Sequence, residues 1–137
     1  VKNSIDTKRV KYLGYLPDHK NLTALMQSAA LQVYLTYPFV LSWSMLESLA
    51  CELLVIGSDT GPVKEVITDK KNGLLVDFFD VKAISDSVNK VLSSPEKYID
   101  LAKQGRKTII KNYDLNKVCL PKSIELVEKI LETKNED

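Results

Sequence analysis

Leu53–Gly57 (LLVIG) is an unbroken apolar run closed on its far side by turn formers, and it restricts the fold more than any other segment. A strand wetted on one face alternates apolar and polar residues, whereas a continuous run needs cover on both faces, as the strands of parallel sheets have. Ser58-Asp59-Thr60-Gly61 breaks the run, and Pro62 is placed to open a short helix reaching Ile67. The turn Asp69-Lys70-Lys71-Asn72-Gly73 then leads into a brief strand, Leu74–Val76.

The same alternation extends in both directions. Arg9–Tyr15 reads as a strand ended by Leu16-Pro17-Asp18, and Leu31–Leu35 reads as another. Between them Leu22, Leu25, Met26, Ala29 and Ala30 recur at helical spacing. Thr36–Ser44 (TYPFVLSWS) follows neither period, and Ser44 with Glu47 spells a capping box for a short helix over Met45–Cys51. Beyond Val81, Ile84, Val88, Val91 and Leu92 form one stripe, and Ser94-Pro95 opens a helix with Tyr98, Leu101, Ala102 and Ile109 on one side. Pro121 opens the last helix, with Ile124, Val127, Ile130 and Leu131 as its buried set, and Thr133–Asp137 forms a polar tail. Four strands alternating with helices predict an α/β fold, a Rossmann-like parallel sheet flanked by helices. A nucleotide-binding half normally opens with a strand and a glycine-rich turn, and no GxGxxG or GxxxxGK[ST] occurs here, so residues 1–137 are expected to be a single partial domain, the latter part of a larger one or a natural remnant of one.

Composition narrows the function. A net charge of +1 gives no general field for nucleic acid or anionic lipid. Cys51 and Cys119 are isolated, which points away from a zinc ribbon or a disulfide scaffold and towards a reducing compartment. No apolar stretch is long enough for a membrane span, so a cytoplasmic domain is expected.

In open parallel sheets, ligands sit beyond the carboxyl ends of the strands. Here that means the loops Tyr15–Asp18, Tyr37–Ser44, Ser58–Gly61 and Asp77–Asp80. The second feeds a helix N-terminus, whose free N–H groups and positive dipole end suit phosphate. Glu47 lies about one turn inside that helix, where its carboxylate can either accept hydrogen bonds from a ribose diol or complete the cap with Ser44. Trp43 either stacks on a ligand or anchors the loop, and Asp59 either orients a hydroxyl or serves its turn. His19, between Asp18 and Lys20, reads as solvated. Cys51 reads as packing, and Lys70-Lys71 as turn solvation.

The ordered segments RVKYLGYLP, LTALMQSAALQVYLTYPF, SWSMLESLAC, LLVIGSDTGPVKEVI and KNGLLVDFFD resemble the C-terminal, donor-binding domain of family 4 glycosyltransferases (glycosyl transferases group 1) from Arg9 to about Tyr113. The resemblance implies the C-terminal half of a two-domain GT-B enzyme. Such an enzyme transfers a hexose from a nucleoside-diphosphate sugar to an acceptor hydroxyl with retention, without a metal and with no further cofactor. Of the family's paired glutamates, eight positions apart, Glu47 matches the second, which holds the ribose. The first falls on Phe39, which cannot hydrogen-bond a sugar, and the glycines expected nearby are Val40 and Ser42. The backbone of Leu41, Ser42, Trp43 and Ser44 is implied to meet sugar and phosphate, Tyr15 and Leu16 the base, and Asp59, Thr60 and Gly61 the sugar-phosphate end. No catalytic side chain is assigned. The family's upstream phosphate-binding Arg and Lys and its acceptor domain lie outside this sequence, so the isolated chain is expected to lack turnover. Implied partners are the nucleotide-sugar donor, an acceptor glycan or lipid held by the absent N-terminal domain, and a second copy through an open sheet edge. The complete enzyme is expected to lie peripherally at the inner face of the membrane. The rival reading is a catalytically silent interaction or regulatory module on the same fold, which Phe39 favours. A receiver-like flavodoxin fold ranks last, for want of an acidic cluster after the first strand.

Overall fold

In the computed structural model, which describes residues 6, 8–37 and 40–134, the run around Leu53–Gly57 is the centre of the molecule. Strand β2 (Val55–Ser58) is buried at every position and lies between β1 (Gln32–Tyr34) and β3 (Leu74–Val76) in an all-parallel sheet of order β1-β2-β3. Val33 pairs with Ile56 on one side, and Ile56 pairs with Leu74 on the other. Parallel neighbours need a crossover. Helices α2 (Trp43–Ala50) and α3 (Gly61–Lys64) supply them, while α1 (His19–Ser28) precedes the sheet. Helix α4 (Val81–Ser93), a 3-10 turn (Pro95–Tyr98), α5 (Ile99–Tyr113), a π turn (Leu115–Cys119) and α6 (Leu120–Lys134) follow it.

Each face of the sheet has its own core, because neighbouring residues of a strand point to opposite sides. Val55 packs with Met45, Leu49, Val63, Val66, Ile67 and Ile109; Ile56 packs with Leu54, Val76, Val91 and Ala102. Both Val55 and Ile56 are 0% exposed, and each contributes about 1.5–3 kcal/mol of burial.

Several expectations fail, each for a reason visible in the packing or hydrogen bonding. Arg9–Tyr15 is not a strand, so the described sheet has three strands and not four. Val10, Tyr12, Leu13 and Tyr15 are exposed, Arg9 and Val10 donate back to the Asp6 carbonyl, and Gly14 turns to φ +67. The cap of α2 is Ser42, not Ser44, and its hydroxyl accepts from Ser44 N. The expected apolar face of α6 is not buried: Ile124, Val127, Ile130 and Leu131 all remain exposed, because α6 packs on the preceding π turn. Leu92 is likewise exposed, and α1 buries only Met26. Of the polar tail, Thr133 and Lys134 finish α6, and 135–137 lie outside the described residues. No described helix is long and apolar enough to cross a membrane.

Two positions around the α2–α5 contact are constrained, one by its backbone angle and one by lack of space. Glu52 closes α2 at φ 60, held beside Arg106, whose Nη1 donates to the Ala50 carbonyl at 3.0 Å. Gly105, inside α5, lets that helix approach α2; a Cβ there would stand 2.8 Å from Leu49 Cδ2 and 3.0 Å from the Asn72 carbonyl oxygen.

Glu52→Gly relieves a left-handed strain of roughly 1 kcal/mol, partly offset by glycine's freedom in the unfolded chain. A net gain of about 0.5 kcal/mol in urea unfolding is expected. Gly105→Ala does the reverse: alanine's better helix propensity is outweighed by overpacking, and a loss of roughly 1–3 kcal/mol is expected in the same assay.

Candidate functional site

All three strands run one way, so their carboxyl ends share one edge, and short polar links hold that edge together. The buried Ser58 hydroxyl donates to the Thr36 carbonyl at 2.8 Å and accepts from Thr36 N at 3.0 Å. Asp59 N donates to the Val76 carbonyl at 2.7 Å. Above these links the Tyr37 ring stacks on Phe78 at 5.7 Å and meets Phe79 edge-on at 5.0 Å. Tyr37 and Phe79 are 56% and 69% exposed, so this aromatic cluster faces solvent at the mouth of the edge.

The start of α2 is built from the serines around Trp43. Ser42 N donates to the Tyr34 phenol oxygen at 3.1 Å, and Ser44 N donates to Ser42 Oγ at 3.3 Å. Those two N–H groups are therefore spent inside the protein. Among the described residues, the N–H groups of Leu41 and Trp43 have no partner. Trp43 is 81% exposed, which removes the reading of it as a core anchor.

With Ser42 as cap, Glu47 falls in the second turn of α2 and takes no part in capping. Among the described residues its carboxylate makes no hydrogen bond or ion pair. The half-buried side chain lines a cavity of about 220 Å³ with His19, Leu22, Thr23, Met26, Ala50 and Cys51. Helix α1, which forms the opposite wall, is capped by Asp18, whose Oδ1 accepts from Lys20 N at 2.9 Å. His19 is therefore the first residue of a helix and not part of a loop. Cys51, at the C-cap of α2, lies on the Glu47 side of the cavity, and burial pushes its thiol up, with Arg106 pulling it down and Glu47 adding to the rise.

The remaining candidates are spread along the edge. Tyr15 is exposed and Leu16 half-buried on the segment leading into α1. Phe39 lies outside the described residues. Asp59 pairs with Lys64 at 2.7 Å, both half exposed. Thr60 caps α3 without a side-chain hydrogen bond, and its Oγ1 is buried with no partner. Gly61 begins α3. Phe78 and Phe79 were not singled out from sequence. Their signal is an adjacent aromatic pair in a turn, just before Asp80, which caps α4. His19 carried no signal, since only packing against α2 reveals its position.

The family model described as glycosyl transferases group 1 matches residues 5–108. The chain is 27% identical over 121 residues to alpha-maltose-1-phosphate synthase of Mycolicibacterium smegmatis, covering 84% of this chain and 31% of that protein. It is 30% identical over 94 residues to sucrose-phosphate synthase 4 of Arabidopsis thaliana, covering 69% of this chain and 9% of that one. Among solved structures, sucrose-phosphate synthase from Thermosynechococcus elongatus superposes with a TM-score of 0.80 at 24% identity, covering 93% of this chain and 31% of that one. Anabaena HepE in complex with UDP-glucose superposes with a TM-score of 0.73 at 18% identity, covering 96% and 33%. The chain thus spans about a third or less of the length of these relatives.

Because the folded environment favours the neutral thiol of Cys51, its thiolate fraction at neutral pH falls below that of an unfolded cysteine. In a Cys119→Ser background, iodoacetamide should label native Cys51 more slowly than the urea-unfolded chain. The native rate should climb only at more alkaline pH than the unfolded one, as read by mass spectrometry.

Proposed function

This chain belongs to the glycosyl transferases group 1 family, and we propose that it forms the donor-binding portion of an enzyme transferring a hexose from a nucleoside-diphosphate sugar to an acceptor hydroxyl with retention. The observation that carries the reading is the state of Glu47: a half-buried carboxylate facing a cavity, released from capping by Ser42 and without a partner among the described residues. A vicinal diol offers two donors to such a group, each charge-assisted bond contributing about 1.5–3 kcal/mol.

The N–H groups of Leu41 and Trp43, unpartnered among the described residues, lie at the positive end of α2, where a diphosphate gains from the helix dipole. On this reading that dipole does the work of a metal ion on the departing diphosphate. Tyr15 and Leu16 border the base, on the segment that enters α1. Asp59, Thr60 and Gly61 border the sugar-phosphate end, where the buried Thr60 hydroxyl has no partner among the described residues. HepE has been solved with UDP and with UDP-glucose, and that precedent supports a uridine donor as the first to test.

The acceptor, a glycan or lipid, would be held by a further domain, and the open side of β1 is where a second copy would add a strand. The complete enzyme would work in the cytoplasm, at the inner face of the membrane. Turnover is not expected from these residues alone. Phe39 replaces the sugar-binding carboxylate, and Lys64, the cation at the end of β2, is already engaged by Asp59. The Phe39 replacement also favours the rival reading, a silent module on the same fold.

Calorimetric titration with UDP, GDP and ADP separates the two. Saturable binding of one nucleotide, weakened roughly tenfold to a hundredfold by Glu47→Ala, is expected. Absence of binding to all three, or binding indifferent to Glu47→Ala, would replace the donor-site reading with the silent module.

A further inference from the structure

At the opposite edge of the sheet the turn Asp69–Gly73 enters β3, and it is among the most tightly tied loops of the chain. Lys70 N donates to the Gly73 carbonyl at 2.8 Å, Leu75 N to Asp69 Oδ1 at 2.9 Å, and Thr68 N to Asn72 Oδ1 at 2.7 Å. The Asn72 side chain, itself buried, donates onward to the Val66 carbonyl at 2.8 Å and to Thr108 Oγ1 at 3.0 Å. This frame holds Lys70 at φ 58, a conformation that glycine or asparagine adopts at lower cost. Strain kept at one residue by an over-determined surrounding directs attention to what that residue presents.

The turn presents two consecutive lysines to a groove of about 380 Å³, closed on its far side by the 3-10 turn and the first half of α5. Lys97 and Tyr98 come from the 3-10 turn, Gln104 from α5, and Leu74 and Leu101 give the groove an apolar part. Among the described residues Lys71 and Lys97 have no acidic partner, and Lys70 has only a loose one, Asp69 at 3.8 Å. The one carboxylate in the lining, Asp100, is 95% exposed and drawn towards Lys103 at 3.8 Å. Lys97 and Tyr98 also line an adjoining groove with Lys90, Asn89 and Asp86, whose carboxylate is engaged by Lys82 at 2.6 Å. The groove therefore combines three lysines, a phenol, an amide and one exposed carboxylate with a small apolar surface.

We propose that this groove binds a phosphate monoester or diester of a small organic alcohol, with Lys70, Lys71 and Lys97 on the phosphate and Leu74 and Leu101 against the carbon skeleton. Ammonium–phosphate contacts of this kind are charge-assisted. The ligand class follows from the lining and does not depend on the donor-site reading, which concerns the other edge of the sheet. A soluble phosphate ester and a phospholipid headgroup share this chemistry.

The test uses the protein, its Lys71→Gln/Lys97→Gln double variant, and a Lys129→Gln control altered on α6. Binding of glycerol 3-phosphate and of inorganic phosphate is followed by shifts of backbone amide resonances over residues 69–75 and 97–104. Co-sedimentation is measured with vesicles of phosphatidylglycerol mixed equally with phosphatidylcholine, and with phosphatidylcholine alone. Saturable shifts with glycerol 3-phosphate, weakened roughly a hundredfold in the double variant and unchanged in the control, assign a soluble ester. Sedimentation with the phosphatidylglycerol vesicles only, lost in the double variant and kept in the control, assigns a headgroup. No binding to any probe, or binding equal in the double variant and the control, overturns the proposal. The amide spectra of the variants report directly on folding, and UDP titration of the same samples keeps failure here distinct from failure at the donor site.

Discussion

Burial of β2 on both faces is the constraint from which the rest of the architecture follows. A strand that places Val55 into one core and Ile56 into the other cannot lie at the surface of a small domain. It therefore needs a neighbour on each edge and helices above and below. Parallel pairing to β1 and β3 meets the first need, and the crossovers required by that pairing supply helices for the second. The direction of the strands then decides where chemistry can be placed, since all three carboxyl ends must open on one side.

That ordered edge converts a modest helix into a candidate ligand site. Ser58 is buried and bonded to both backbone groups of Thr36, which fixes where the chain leaves β1. Tyr34 then reaches forward to the N–H of Ser42, so strand and helix are joined by one side chain across the intervening loop. Ser42 is positioned as cap by this link, and it is the capping by Ser42 that frees Glu47. A cap two residues later would have satisfied the carboxylate locally and left the cavity between α1 and α2 without a charged group.

How much of this could be read from residues alone depended on the range of the interactions involved. The strands Leu31–Leu35, Leu53–Gly57 and Leu74–Val76 and the turn Asp69–Gly73 were legible because their signals are local: apolar runs and turn formers at fixed offsets. Two serines in the same aperiodic stretch made the cap ambiguous, and the choice was settled by Tyr34, eight positions away, which no local pattern includes. Arg9–Tyr15 and the apolar stripe of α6 carry the right residues for a strand and a buried helix face. Burial, however, is a property of what stands opposite, and nothing among the described residues stands opposite either of them. The aromatic cluster escaped for the same reason, since Tyr37 meets Phe78 and Phe79 only when the ends of β1 and β3 come together.

The two edges of a parallel sheet are physically unlike, and the distribution of charge follows that difference. At the carboxyl edge α2 begins, and there the N–H groups of Leu41 and Trp43, unpartnered among the described residues, stand beside a positive dipole end. At the amino edge α4 ends, its last turn and negative dipole end directed towards the 3-10 turn, and α5 begins directly after that turn. Opposed dipole ends meet there, so the hold on an anion falls mainly to side chains. The lysines sit where that argument requires them: Lys90 in the last turn of α4, Lys97 in the 3-10 turn, and Lys70 and Lys71 on the rigid turn across the groove. Lys90 also offsets the helix dipole, which accounts for one of the four without any ligand. It leaves unexplained why Lys70 is kept at a backbone angle better suited to glycine, beside a second lysine and opposite a third. Like charges gathered on a fixed frame repel one another, and a bound phosphate is the simplest partner that turns that repulsion into attraction.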